Sequence, residues 1–218
     1  MSLRERILDF FFPPRCAFCG ALLEESRGEI CPACRKALPR TPDTERKCAF
    51  VRAYTAPLYY EEPVRRGMLA YKFGNAPARG AVFGRMIGED LLRRDAVDFD
   101  LITWVPLSAK RRRSRGYDQA QILAESAAKV LGKTAVPLLR KTRNASPQSR
   151  LASVEARRAN ISGCYAVRSA EAVRGKHILL IDDIITTGST ISECARMLLT
   201  AGAASVRGAA LACHREDK

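Results

Sequence analysis

Two kinds of apolar pattern alternate along this chain. Helical spacing of apolar positions occurs at 62–73, 81–94, 118–132 and 190–201. Short continuous apolar runs, which are typical of buried strands, occur at 50–60, 100–108, 177–181 and 205–213. Strands that alternate with helices predict an α/β fold, with a parallel sheet flanked by helices on both faces.

One predicted strand leads into an unusual polar sequence. The apolar run 178–181 is followed by Asp182 and Asp183, and then by the turn 186–190, Thr-Thr-Gly-Ser-Thr. Ligands of parallel α/β sheets bind beyond the carboxyl ends of the strands, so both carboxylates are expected at a binding edge. An acid pair alone, or a hydroxyl-rich turn alone, is typical of a surface turn or a helix cap. Their combination in one stretch favours a ligand site.

The turn has the properties of a phosphate-binding loop. A helix N-terminus attracts anions through its free N–H groups and its dipole, and Gly188 permits a close approach. The two carboxylates can accept hydrogen bonds from a vicinal diol, and one can assist a Mg²⁺ ion. A phosphate beside a vicinal diol describes a ribose 5-phosphate. The sequence therefore predicts catalytic roles for Asp182 and Asp183, and phosphate contacts from Thr186, Thr187, Gly188, Ser189 and Thr190.

Four cysteines near the start of the chain have the spacing of a metal site. Two Cys-x2-Cys pairs are separated by eleven residues. Zinc takes four thiolates in a tetrahedron, which leaves no open position, so the predicted site is structural. A redox pair normally occurs singly, and disulfides need an oxidising compartment that nothing else here indicates. The predicted zinc ligands are Cys16, Cys19, Cys31 and Cys34.

The cysteine segment is too short to bury a core of its own. About 40 residues need a metal to supply their folding free energy. We therefore expect a zinc-binding module at 1–48, which a chelator would unfold selectively, and a second domain at 49–218. No apolar run approaches the roughly 20 residues that span a bilayer, and Glu5 and Asp9 make the N-terminus a poor signal peptide. The expected location is the cytoplasm, with no membrane partner.

The net charge of +14 is concentrated in one part of the chain. Residues 105–160 contain thirteen Lys or Arg and three acids. The plainer interpretation is a solvated face that keeps the protein soluble. Clustering of this degree favours a surface that binds a polyanion, either a diphosphate or a nucleic acid.

The stretch 178–190 resembles the phosphoribosyl-diphosphate signature of type I phosphoribosyltransferases, which has four hydrophobic residues, two acids and a Thr/Gly turn. The cysteine module, 105-VPLSAKRRRSRGYDQAQ-121, 148-QSRLASVEARRAN-160 and this signature, in that order, resemble the ComF family of competence-associated proteins over nearly the whole chain. Asp118 stands where the family pattern RGxNQA has Asn, which adds a negative charge near the expected diphosphate. Ile185 stands where relatives often have a larger or polar residue.

The resemblance implies a type I phosphoribosyltransferase-like core with an N-terminal four-cysteine, zinc-ribbon-like module. It implies that phosphoribosyl diphosphate binds with Mg²⁺, between a diphosphate loop at 106–110 and a flexible basic loop at about 141–160. The implied chemistry is displacement of diphosphate at ribose C1 through an oxocarbenium-like state. The positions assigned to these two loops are Pro106, Leu107, Ser108, Lys110, Arg115, Gln148 and Arg157.

More than one function stays open at this point. A phosphoribosyltransferase would take its acceptor specificity from residues around 50–80. Tyr59, Tyr60, Tyr71 and Phe73 could stack there on a base, although core packing is the favoured interpretation. A regulator that senses phosphoribosyl diphosphate without turnover would have the same signature.

The ComF resemblance also implies a role in handling incoming single-stranded DNA during natural transformation. In that case the protein could be a non-catalytic binding or adaptor protein whose enzyme fold is a retained scaffold, with DNA-processing proteins as partners. A basic surface with an aromatic side chain beside it is suited to tracking a single strand. The DNA-binding candidates are Arg111, Arg112, Arg113 and Tyr117.

Overall fold

The computed structural model describes residues 13–23, 28–143 and 161–215. The strands are β1 (Arg46–Cys48), β2 (Val51–Thr55), β3 (Leu58–Tyr59), β4 (Leu101–Trp104), β5 (Leu139–Lys141), β6 (Tyr165–Val167), β7 (His177–Ile185) and β8 (Ser205–Cys213). The helices are α1 (Pro32–Ala37), α2 (Val64–Phe73), α3 (Ala78–Arg93), α4 (Ala109–Arg115), α5 (Gln119–Val130), α6 (Ala170–Val173) and α7 (Ser189–Thr200). Within these ranges no helix is long and apolar enough to cross a membrane.

A six-stranded sheet forms the centre of the fold. Its strand order is β1-β2-β8-β7-β4, and β3 extends the β2 edge by pairing with β8. The pairs β2–β8, β3–β8, β8–β7 and β7–β4 are parallel, and β1 is antiparallel to β2. The predicted parallel α/β architecture is confirmed.

The strand that contains the two aspartates is longer than its apolar run predicts. β7 continues past Ile181 and pairs with β8 as far as Ile185 opposite Cys213. Its other neighbour, β4, pairs with it only as far as Trp104 opposite Ile181. The prediction that the strand ends at Ile181 is therefore wrong for the β8 side and right for the β4 side. Asp182 and Asp183 therefore follow the last residue of β7 that pairs with β4.

Helices cover both faces of the sheet. One buried cluster joins α2, α3 and α5 to the sheet, and the other joins α7 and the β5–β6 hairpin to the opposite face. The α3 and α5 backbones approach closely at Gly84, where a Cβ would lie 2.5 Å from the Leu123 carbonyl oxygen. Close packing of this kind fixes the position of the α5 N-terminus, which lies beside the carboxyl end of β4.

The cysteine segment packs onto the first of these helical layers. Phe18, between the first two cysteines, is fully buried, and its ring centroid lies 5.2 Å from that of Phe83 on α3. A Cβ at Gly67 of α2 would lie 3.0 Å from the Phe18 Cα. Because these contacts tie the segment to α2 and α3, we expect its unfolding to affect α2 as well. The division of the chain at residue 48 stays a prediction.

Three short elements have no signal in the apolar pattern. The strands β5 and β6 form an antiparallel hairpin of three residues each, which is too short to show a period of two. Helix α4 buries none of its residues, so it has no apolar stripe. The predicted loop 106–110 is consequently a loop only as far as Ser108, and Ala109 and Lys110 belong to α4. The predicted basic loop lies between β5 and β6, and residues 144–160 are outside the described ranges.

Candidate functional site

The four cysteine sulfurs converge as a zinc site requires. Their Sγ atoms all lie within 4.8 Å of one another, and those of Cys19 and Cys31 are 3.7 Å apart. A tetrahedron with Zn–S bonds of about 2.3 Å has sulfur–sulfur edges of about 3.8 Å. The observed spacing therefore fits zinc and supports its structural role.

Local backbone geometry prepares two of these sulfurs as ligands. The Cys31 side chain caps α1, where it accepts a hydrogen bond from the Cys34 N–H, and Pro32 follows in the first turn. The Cys31 N–H donates to the Cys16 Sγ at 3.4 Å. Burial opposes ionisation of Cys16, but N–H donors from Cys19, Cys31 and Phe18 outweigh it and lower its pKa to about 6. Donors of this kind favour the thiolate that zinc binds.

An inner cavity of about 350 Å³ opens at the carboxyl ends of β4 and β7. Its floor contains Asp182 and Asp183, and its wall contains the start of the 186–190 turn. Four cations line it: Lys72, Arg111, Arg115 and Lys141. Four positive and two negative groups leave a net positive cavity, which suits a ligand with more than two negative charges.

Lys72 pairs with one of the two aspartates. Its Nζ lies 2.8 Å from the Asp183 Oδ2, and both side chains are more than four-fifths buried. The Asp183 N–H donates to the Asp182 Oδ1 at 2.8 Å. Lys72 comes from the last turn of α2, so this helix closes one side of the cavity.

Asp182 has an unusual electrostatic environment. It keeps some accessible surface towards the inner cavity but is otherwise densely surrounded by protein. Burial, and then the neighbouring charge of Asp183, raise its pKa to about 7, against the opposing effects of the Asp183 N–H, Lys72 and Lys141. A carboxyl group with such a pKa changes its charge near neutrality, so ligand binding at this position is expected to depend on pH.

The turn between β7 and α7 combines a left-handed glycine with four hydroxyl side chains. Gly188 caps α7 in the left-handed conformation, with φ of 70°. A Cβ there would also lie 3.1 Å from the Cys48 Cβ, so both the backbone conformation and the limited space favour glycine. The Thr187 and Ser189 hydroxyls are 2.8 Å apart. Thr186 and Thr190 line the inner cavity, and Gly188 and Ser189 line a small recess that also touches Asp182.

The loop after β4 is held by Asp118. The Asp118 Oδ2 accepts from the Leu107 N–H at 3.0 Å, and its Oδ1 accepts from the Gln121 N–H at the start of α5. Burial raises the pKa of Asp118, and these N–H donors act in the opposite direction. Its acidic oxygens thus face backbone donors instead of the cavity. Ser108 caps α4 by accepting from the Arg111 N–H at 3.3 Å.

Basic side chains reach the inner cavity from two elements. Arg115 of α4 donates to the Gln119 Oε1 at 2.9 Å and is half-buried. Lys141 of β5 donates to the Tyr165 hydroxyl at 3.1 Å and lies over its ring. Burial, followed by the charge of Arg111, lowers the pKa of Lys141. An anionic ligand would stabilise the charged form of Lys141, which is partly desolvated and repelled by Arg111.

A second, outer cavity of about 590 Å³ adjoins the first. The two share Lys72, Arg111 and Arg115. The other lining residues of the outer cavity are Phe73, Asn75, Arg113, Ser114, Gly116 and Tyr117.

The structure brings together most, but not all, of the residues that the sequence indicates. Pro106, Leu107 and Arg115 line the inner cavity, and Arg113 and Tyr117 line the outer cavity. Lys110 and Arg112 are exposed on α4 and belong to neither lining. Gln148 and Arg157 lie outside the described residues.

Sequence reasoning missed several residues of the two cavities. Lys72 has no local motif, and only the fold brings α2 over β7. Gln119 stands inside the RGYDQA segment and could have been found from it. The interpretation of core packing holds for Tyr59 and Tyr71, which are buried, and is wrong for Phe73, which is 71% exposed. Tyr60 is half-buried and lines the inner cavity.

Comparisons with known families agree with this architecture. A phosphoribosyl transferase domain matches residues 117–218, and a double zinc ribbon domain matches residues 7–60. Fold and site together define a phosphoribosyltransferase-type α/β domain joined to a zinc ribbon. Among solved structures, the allosteric regulatory enzyme of purine biosynthesis is similar at 24% identity, with a TM-score of 0.41. The match covers 60% of this chain and 25% of the chain of that enzyme.

Relatives identify the family more closely. Competence protein ComFC of Streptococcus pneumoniae is 30% identical over 196 residues, which cover 88% of this chain and 84% of that protein. DNA utilization protein YhgH of Salmonella typhimurium is 28% identical over 209 residues, covering 88% and 87%. Competence protein ComFC of Bacillus subtilis is 28% identical over 200 residues, covering 87% and 80%. The chain belongs to the ComF family, and the predicted resemblance is confirmed.

Proposed function

We propose that this protein binds phosphoribosyl diphosphate with Mg²⁺ in the inner cavity and acts in the cytoplasm as a phosphoribosyltransferase. One observation carries the proposal. Two aspartates, two threonines of the 186–190 turn and four cations line a single cavity at the carboxyl edge of a parallel sheet. The aspartates would accept the ribose hydroxyls, the 186–190 turn would hold the 5-phosphate, and the cations would hold the diphosphate. Mg²⁺ would add charge neutralisation at the diphosphate.

The proposed reaction displaces diphosphate from ribose C1 by an acceptor nucleophile. The departing diphosphate carries negative charge, which Arg111, Arg115 and Lys141 of the cavity lining would stabilise. No protein side chain needs to attack the ribose. The alternative is that the site binds the same ligand without turnover, as a sensor or a retained scaffold.

We also propose that single-stranded DNA is a partner of the protein. The names of the relatives, DNA utilization protein and competence protein, favour a role in DNA handling and natural transformation. The exposed arginines of α4 support this role, because they present positive charge without a buried face. Proteins that process DNA would be further partners.

Calorimetric titration with phosphoribosyl diphosphate and Mg²⁺ tests the first proposal. Asp182→Asn with Asp183→Asn should weaken binding by at least about a hundredfold, since two hydrogen bonds to charged acceptors are lost. The same variant should bind an oligothymidylate at least as tightly as the wild type does, because it removes only negative charge and frees Lys72 from Asp183. A matched control, Asp95→Asn with Asp100→Asn, makes the same charge change at exposed positions.

The outcomes separate the two functions. Folded wild type that does not bind phosphoribosyl diphosphate would refute the site and leave DNA handling as the remaining function. Equal loss of both ligands in the double variant would refute the separation of the two sites. Release of diphosphate on adding an acceptor would distinguish an enzyme from a sensor.

A further inference from the structure

The outer cavity has a lining unlike that of the inner one. Its described lining residues include four cations and no acid: Lys72, Arg111, Arg113 and Arg115. Two aromatic rings, Phe73 and Tyr117, lie among them. A ligand that satisfies this lining carries negative charge and presents a planar ring.

Phe73 is the aromatic side chain available to such a ligand. It ends α2, next to Gly74, and is 71% exposed, more than any other large apolar side chain among the described residues. One exposed phenylalanine alone means little. This one stands at the mouth of a basic cavity, and the Arg115 guanidinium lies 4.9 Å from its ring centroid. The exposed part of the ring remains open for stacking.

Tyr117 is less suited to this role. Its hydroxyl donates to the Tyr71 carbonyl oxygen, and its ring centroid lies 5.7 Å from that of Tyr71. Both contacts hold the half-buried Tyr117 against the core. Of the two rings in the outer cavity, Phe73 is therefore the one that a base can cover without disturbing packing.

The arginines of α4 separate into two groups. Arg111 and Arg113 line the outer cavity, whereas Arg112 is exposed elsewhere on the helix. A phosphate attached to a base on Phe73 would meet the first group and miss Arg112. Arg112 and Arg113 are thus adjacent, exposed arginines of equal charge, of which Arg113 lines the outer cavity and Arg112 does not.

We propose that the outer cavity binds one nucleotide of single-stranded DNA, with its base stacked on Phe73 and its phosphate held by Arg111 and Arg113. This rests on the proposed function, in which single-stranded DNA is a partner. The base must be unstacked to meet Phe73, so a duplex offers no equivalent ligand. Because both cavities share Lys72, the bound nucleotide lies next to the ribose site.

Fluorescence anisotropy with two labelled strands tests the stacking contact. One strand is an oligothymidylate, and the other is an abasic backbone of equal length and charge. Phe73→Ala should weaken oligothymidylate binding by roughly five- to a hundredfold and leave abasic binding unchanged. Leu69→Ala is the matched control, because Leu69 is an exposed apolar residue of α2 outside both cavities. It should change neither affinity.

Salt titration of the same strands tests the phosphate contact. Arg113→Ala should reduce the slope of log affinity against log salt by about 0.7, the value for one phosphate contact with a single strand. Arg112→Ala should reduce it by less. Equal slopes in these two variants would overturn the phosphate assignment.

Four other results would overturn the proposal. If Phe73→Ala weakened the binding of both strands equally, the base would not be stacked on the Phe73 ring. If thymidine monophosphate bound as tightly as the oligothymidylate, the ligand of the outer cavity would be a free nucleotide and not a strand. Wild type that binds phosphoribosyl diphosphate but no strand would refute the DNA partner and leave the inner site intact. Strand binding that is insensitive to Phe73 would refute only the outer site.

Discussion

At the scale of single residues, the main feature is two carboxylates held in a small space. Asp183 has a counter-ion in Lys72, whereas Asp182 accepts a hydrogen bond from the Asp183 N–H. Burial and Asp183 raise the pKa of Asp182 to about 7. The charge of Asp182 therefore opposes folding in the absence of ligand, and a ligand that satisfies the carboxylate relieves this cost.

This arrangement predicts a dependence of stability on pH. The folded-state pKa of Asp182, about 7, lies above the ordinary value of 3.8, so the folded protein binds a proton more tightly than the unfolded chain. The stabilising effect of that proton is complete below about pH 4 and is lost as the pH rises to about 7. Asp182→Asn stays neutral throughout. Its unfolding free energy should therefore exceed that of wild type by a margin that grows between about pH 4 and 7.

Urea denaturation across this range measures the margin. One pKa unit corresponds to about 1.4 kcal/mol, so the gain should reach a few kcal/mol at most. The exposed Asp95→Asn is a matched control and should show no comparable rise. A constant difference between Asp182→Asn and wild type at all pH values would contradict the assigned environment.

At the scale of elements, α2 connects the zinc ribbon to both cavities. Its Gly67 contacts Phe18 of the first cysteine knuckle, and its last turn contributes Lys72 and Phe73. Arg79 adds a further link, donating to the Phe18 and Gly67 carbonyl oxygens at 3.5 and 3.4 Å. The knuckle thus supports the helix that closes the inner cavity, so a zinc ion bound by the four cysteines would affect more than its own module.

Removal of zinc should therefore loosen α2. Without the metal the cysteine segment cannot stay folded, and Phe18 leaves a cavity beside Gly67 and Phe83. Hydrogen exchange with a chelator should show faster exchange in residues 13–23, 31–38 and 64–73. Helix α7 packs on the opposite face of the sheet and is the internal control. Faster exchange confined to the cysteine segment, with α2 unchanged, would show that the module is independent.

Elements also show what the sequence could and could not predict. The strand 205–213 and the helix after Asp118 were predicted because each has a long, regular apolar pattern. The four cysteines and the aspartate turn were found because their spacing is local. Lys72 could not be assigned, and core packing was the wrong interpretation for Phe73, since the surroundings of both residues depend on how α2 lies across β7. Helix α4 could not be predicted, because it buries none of its residues and therefore has no apolar periodicity.

At the scale of the whole molecule, a positively charged protein has two adjoining cavities that share three basic residues. The net charge is +14, and the shared residues are Lys72, Arg111 and Arg115. Two anionic ligands in adjoining cavities repel each other, although salt screens this repulsion over about 8 Å at physiological ionic strength. Lys72 instead favours the binding of both ligands together, because its partner Asp183 is also a ribose ligand in the proposed complex.

We therefore expect Lys72 to couple the two ligands. Phosphoribosyl diphosphate would take Asp183 from Lys72, and the released ammonium group would then favour a phosphate in the outer cavity. Coupling between sites is reciprocal and typically amounts to about 5- to 150-fold in affinity. Saturating phosphoribosyl diphosphate with Mg²⁺ should thus tighten oligothymidylate binding several-fold in the wild type, and the strand should tighten phosphoribosyl diphosphate binding by the same factor.

Lys72→Met should abolish this coupling and leave only the repulsion between the ligands. The methionine keeps much of the side-chain length of lysine but cannot pair with Asp183 or a phosphate. Arg65→Met removes one positive charge from an exposed position of the same helix and is the matched control. The strand titration is repeated with and without phosphoribosyl diphosphate for each variant. Full coupling in Lys72→Met, or equal loss in Arg65→Met, would mean that general charge, and not the shared lysine, connects the two cavities.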